Sequence, residues 1–188
     1  MKIDFERIKK DSENFKLSAS NEYVHTYNEF LKYFSSLKNI KRHNLVIGAH
    51  FVYGWMPTVL NLDSSNEKEV LYILNRVKNG DRIAEKDIEM LKHSINNSII
   101  GTSKLLHFIC PNKYAIWDSR VCKYICGNVS QYKIQQPKLY LEYLSAIDEI
   151  VKNKEFRSIQ LKVEEECGYK ITSIRAAELI MFEGGRMC

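Results

Sequence analysis

IIGTSKLLHFICPNKYAIWDSRVCKY, residues Ile99 to Tyr124, is the stretch from which the rest of the chain can be read. A glycine turn, Ile100-Gly101-Thr102-Ser103, opens a short apolar segment from Lys104 to Cys110. Pro111 and Asn112 break that segment, because proline carries no N–H and fixes its own φ. A second apolar approach, Tyr114 to Trp117, delivers Asp118 to the mouth of a helix over Ser119 to Cys126. Aspartate is a preferred N-cap, since its carboxylate accepts the unpaired N–H groups of the first turn. A lysine just after a turn and an aspartate at a helix mouth are thus separated by one short helix and one loop. An amine beside a carboxylate is a reactive pair.

Working outward, the flanking sequence is helical in pattern. Tyr23, Tyr27, Phe30, Leu31 and Phe34 share one side of a helix over Glu22 to Leu37, capped by Ser20. Asn44 to Tyr53 is almost wholly apolar; its helical surroundings favour helix over strand, and Gly54-Trp55-Met56-Pro57 ends it. Ser64 and Glu67 form a capping box for a helix over Asn66 to Lys78, stopped by Asn79-Gly80. Ile83 to Ile95 is the next helix. After Cys126 come a polar loop from Gly127 to Gln136 and a helix from Pro137 through Val151. Arg157 to Glu166 is a shorter helix, and a last one runs to Phe182 before a Gly184-Gly185 tail. The fold expected is all-α: one domain over residues 1–188, a compact array of about seven or eight helices.

The totals agree with this. With 45% hydrophobic and 27% charged residues, the composition is that of a water-soluble domain. Eight glycines and three prolines are too few for a many-turned β architecture. The net charge of +5 is a modest bias toward polyanions. Five cysteines with no paired CxxC spacing suit reduced, buried thiols better than a metal site. Neither an apolar leader nor a membrane-length apolar run is visible, so a cytoplasmic monomer without cofactor or metal is the expectation.

Gly101-Thr102-Ser103-Lys104 followed by Tyr114-Ala115-Ile116-Trp117-Asp118-Ser119-Arg120-Val121 resembles the signature of the helix-hairpin-helix DNA glycosylase superfamily, in particular its oxoguanine-processing branch. The similarity is confined to the quoted stretch. The family's hairpin has two glycines where this chain keeps Gly101 alone, and its delivery segment has a proline where Ala115 stands. The resemblance implies an all-α fold with a helix-hairpin-helix-like element and a double-stranded DNA substrate with one extruded base. It places Lys104 in the nucleophile position and Asp118 in that of the essential carboxylate.

Glycosylase chemistry gives those residues their roles. A base extruded from the duplex leaves an oxocarbenium-like centre at the sugar when it departs, and a fixed carboxylate stabilises that charge. A neutral lysine can attack the same carbon and go on to cleave the strand as an abasic-site lyase. Gly101, Thr102 and Ser103 at a helix mouth, with Arg120 and Lys123, are the candidate contacts to DNA phosphates. Trp55 is the candidate wall for the extruded base, with Met56, His50 and Tyr53 setting the size of its pocket. Taken singly, Asp118 reads more readily as a plain N-cap and Lys104 as an exposed helix lysine; the hairpin glycine and the fixed order bring the two readings level. Two other functions stay open: a non-catalytic module gripping DNA or RNA backbone, and a helical protein-interaction domain.

Overall fold

The computed structural model describes residues 1–17, 23–56, 58–127 and 130–187. The described residues form eleven helices and no strand, with one isolated bridge between Leu62 and Ile95. They are α1 (Phe5–Glu13), α2 (Tyr23–Ser36), α3 (Arg42–Tyr53), α4 (Glu67–Lys78), α5 (Glu85–Ser94), α6 (Ile99–Ile109), α7 (Ser119–Cys126), α8 (Gln131–Ile134), α9 (Pro137–Val151), α10 (Phe156–Cys167) and α11 (Ser173–Met187). The all-α class holds, and the count exceeds seven or eight. Asp4 caps α1 through the amides of Glu6 and Arg7 within the expected polar leader. Ser130 caps the short α8 inside the expected polar loop. The Ser20 cap, the Tyr23 side chain, Pro57 and Cys188 lie outside the described residues.

Several punctuation marks in the sequence do other work. No Ser64–Glu67 capping box forms; α4 starts at Asn66 with no side-chain cap, and Ser64 offers only its carbonyl to the Glu67 amide. Gly101 is no turn residue but lies in the first turn of α6, capped by Ser98 Oγ. The turn before it is made by Asn96 and Asn97, at φ 54° and 50°, the left-handed region that asparagine tolerates better than most residues. Gly101 is small because a Cβ there would stand 2.7 Å from the Tyr53 hydroxyl. Gly184 and Gly185 do not end the last helix either, since α11 runs through them. Tyr124 packs on Gly184, and the Arg120 carbonyl leaves no room for a Cβ on Gly185, so α11 and α7 approach almost backbone to backbone. The cysteines are not uniformly core: Cys122 and Cys167 are buried, Cys110 is half-buried and Cys126 is exposed.

Two helices act as hubs. The central α6 packs against α2, α3, α4 and α5, while α11 packs against α1, α7, α9 and α10. Helix α1 is latched to the second group by Arg7, which donates to the Tyr124 carbonyl at 2.7 Å and lies 3.7 Å over the Tyr124 ring. Tyr124 in turn donates to Asp11 at 2.6 Å. One hydrophobic cluster runs through both groups, from Ile3 to Met181. No described helix is long and apolar enough to cross a membrane.

Candidate functional site

Between α6 and α7 the chain turns at residues 111–113 and then runs buried outside regular structure, with Tyr114, Ala115, Ile116 and Trp117 all under 5% exposed. A buried segment outside regular structure must find partners for its backbone polar groups. Side chains supply them. His107 donates from Nδ1 to the Tyr114 carbonyl at 2.7 Å. The Tyr140 hydroxyl donates to the Ala115 carbonyl at 3.1 Å and the Tyr143 hydroxyl to the Ile116 carbonyl at 3.2 Å. Ser103 Oγ lies 3.1 Å from the Trp117 carbonyl and accepts the Trp117 amide at 3.0 Å. The next residue is Asp118. Its position relative to Lys104, the neighbour of Ser103, is therefore fixed through one hydroxyl.

Asp118 caps α7, with Oδ1 accepting the Arg120 and Val121 amides at 2.9 Å each. Among the described residues Oδ2 has no hydrogen-bond partner in the protein. Trp55, Lys104, Ile116, Asp118, Arg175, Glu178, Leu179 and Phe182 enclose a cavity of about 50 Å³, with room for a few water molecules. Arg175, Glu178, Leu179 and Phe182 recur at three- and four-residue steps, one face of α11. Trp55 closes the opposite side from the end of α3. Its indole donates to Thr26 Oγ1 at 3.1 Å and packs on Phe30 and Phe108, with ring centroids 5.2 and 5.1 Å away.

Burial sets the electrostatics of this cavity. It lowers the pKa of the Lys104 amine, although Asp118 and Glu178 pull the other way. The only hydrogen bond of that amine among the described residues is a long one, 3.5 Å to the Trp55 carbonyl. Burial raises the Asp118 carboxyl against the opposing effect of its two amides and of Lys104. Glu178, 1% exposed, is pushed up to about 7 by burial, which outweighs its ion pair with Arg175. Arg175 is itself buried against the Tyr27 ring, 4.7 Å from its centroid, and its Nε has no acceptor among the described residues. An amine held toward neutrality, two carboxyls held toward protonation and an unspent cationic donor thus share one apolar-walled space.

Other residues singled out from the sequence lie elsewhere. Gly101, Thr102 and Ser103 are buried, and their groups are spent inside the protein. The Gly101 amide bonds to Ser98 Oγ, and the Thr102 amide and hydroxyl to the Ser98 carbonyl, so this helix mouth offers no phosphate seat. Tyr53 is core, packed on Gly101 and directed at the Ile95 carbonyl at 3.4 Å. His50 is exposed and bonds to the Val46 carbonyl one turn back at 2.7 Å. Met56 is half-buried against the core and does not line the cavity. Arg120 is exposed, its guanidinium 4.6 Å from the Phe182 ring centroid at the cavity's edge, and Lys123 is half-buried on α7. Arg175 and Glu178 were missed. Their signal is two opposite charges three residues apart in the otherwise apolar run Ile174 to Phe182. Comparison with protein-family models, curated proteins and solved structures finds no match to this chain.

Proposed function

We propose that this chain is a DNA glycosylase that extrudes a damaged or modified base from duplex DNA and cuts its glycosidic bond, with Lys104 as nucleophile and Asp118 as the stabilising carboxylate. The observation that carries the reading is the meeting of these two side chains with Trp55 in one small cavity. Desolvation favours the neutral amine that nucleophilic attack needs. Asp118, held by two amides, is preorganised to face the positive sugar that forms as the base leaves. Trp55 offers the face on which an extruded base gains roughly 1–3 kcal/mol of stacking. The short turn between α5 and α6, built on Asn96 and Asn97, takes the place of the family's glycine hairpin in this reading. Arg120 and Lys123 remain the phosphate contacts, because the α6 entrance is closed. A Schiff base on Lys104 would add abasic-site lyase activity.

The buried α6 entrance weighs against a non-catalytic module that grips backbone through a hairpin. The test is release of a base from a panel of duplexes, each carrying one oxidised, alkylated or enlarged base. Wild type should excise at least one of them in single turnover, and Lys104→Met and Asp118→Asn should not. Excision unchanged in both variants would sink the assignment.

A further inference from the structure

Glu178 is not part of the lysine–aspartate pair, yet it faces the same cavity. One carboxyl oxygen is held by Arg175 Nη1, three residues earlier on the same face of α11. The other has no protein partner among the described residues. Arg175 stays charged and fixes the carboxyl without consuming it. Lys104 reaches the cavity from α6 and Asp118 from the segment ahead of α7. The remaining titratable groups in the field of Glu178 are Tyr27 on α2, Tyr143 on α9, Cys167 at the end of α10 and Tyr169 just beyond it. Burial raises all four above their ordinary values, so they stay neutral and hold their protons near pH 7. Asp118 is committed to capping α7. Glu178 is the other carboxyl lining the cavity, and a change in its protonation involves no helix cap.

We propose that Glu178 is the proton carrier of the cavity, taking a proton from the Lys104 ammonium and handing it to the departing base. The role rests on the glycosylase reading. In the first step the Glu178 carboxylate accepts one proton, leaving Lys104 as a free amine. The lone pair of Lys104 Nζ then forms the bond to the sugar carbon. The glycosidic bond breaks, its electron pair goes to the base, and the base nitrogen takes the proton from the Glu178 carboxyl. Glu178 ends as a carboxylate beside a Lys104 nitrogen that now carries the positive charge. No proton is gained from or lost to solvent.

This role separates two activities that a purely structural glutamate would change together. Departure of an intact base needs the carried proton. Schiff-base formation on an abasic-site duplex has no base to release and depends on the amine. Anionic Glu178 also favours the Lys104 ammonium, so removing its charge makes the amine more available, up to about tenfold per pKa unit. With Glu178→Gln, single-turnover excision from the duplex that wild type prefers should fall about 100-fold or more. Borohydride trapping on an abasic-site duplex at pH 7 should rise. The acidic limb of the excision profile should move in the variant from the titration of Glu178 to that of Lys104, which then loses its proton to solvent.

Excision and trapping falling together in a folded variant would overturn the role, as would unchanged excision. Should Glu178→Gln leave the chain unfolded by stranding Arg175, the double variant Arg175→Met, Glu178→Gln removes both buried charges and must show the same split. A wild type that neither excises nor traps defeats the glycosylase reading itself, an outcome distinct from failure of the split.

Discussion

Two buried polar regions meet on α6, one turn apart, and they are built on opposite principles. Around His107 every group is spent. Nδ1 bonds to the Tyr114 carbonyl, so Nε2 is the acceptor for the Tyr27 hydroxyl at 2.8 Å, and Ser103, Tyr140 and Tyr143 complete the support of residues 114–117. Around Lys104 the groups are desolvated and, among the described residues, left short of partners: a single long bond for the amine, a bare carboxyl oxygen on Asp118, an unmatched Nε on Arg175. Burial is common to both, so burial does not mark the site. Incomplete satisfaction separates the Lys104 region from that of His107, and native proteins rarely leave buried polar groups unpaired without a use for them. Glu183 Oε1, on α11 but outside the cavity lining, is a second buried atom without a partner among the described residues.

That contrast predicts that changes in the cavity cost activity and changes around His107 cost stability. The largest effect belongs to Asp118→Asn. Asparagine caps a helix nearly as well as aspartate, so the melting temperature should stay close to wild type. Excision should drop by about 100-fold to 1,000-fold once the charge facing the sugar is lost. A variant that melts much earlier and still excises would make Asp118 a cap and nothing else.

Next in size is His107→Phe, which fills the space but strands the Tyr114 carbonyl and the Tyr27 hydroxyl. Each buried orphan costs about 1–3 kcal/mol, so a loss of roughly 2–6 kcal/mol in denaturant unfolding is expected. A loss below about 1 kcal/mol would show that the two regions do not differ in the way described.

The two regions should also respond to acid with opposite signs. Burial, with Arg175 beside it, moves His107 from 6.5 down to about 3. A folded value below the unfolded one means stability that is complete above pH 6.5 and is lost as pH falls toward 3. Glu178 is raised from 4.5 to about 7, so its contribution is complete below pH 4.5 and is lost as pH rises to 7. Between pH 6.5 and 4.5, acidification should therefore help His107→Phe and harm Glu178→Gln, each relative to wild type. Parallel slopes in the two variants would break the comparison.

What could be read from the sequence follows the same division. Helical periodicity made the class legible, and the order Lys104, apolar helix, Asp118 placed two groups that the fold brings to one cavity with Trp55. The third contributor was not legible, since α11 arrives more than fifty residues later and its charged pair hides in an apolar run. Glycine misled twice. Gly101 and Gly185 read as turn and tail, yet each is the gap into which a Tyr53 ring or an Arg120 backbone fits. Local patterns report backbone preference well and close approach between distant segments poorly. For the same reason Thr102 and Ser103 read as a phosphate seat: their burial depends on packing that no local window contains.

The central claim is that Lys104 is a nucleophile rather than a packed helix lysine. The direct measurement is borohydride reduction of the protein with an abasic-site duplex, followed by mass mapping of the peptide that carries the sugar. One adduct, on Lys104, absent in Lys104→Met and outcompeted by unlabelled abasic duplex, is the predicted result. Adducts spread over exposed lysines, or trapping undiminished in Lys104→Met, would contradict it.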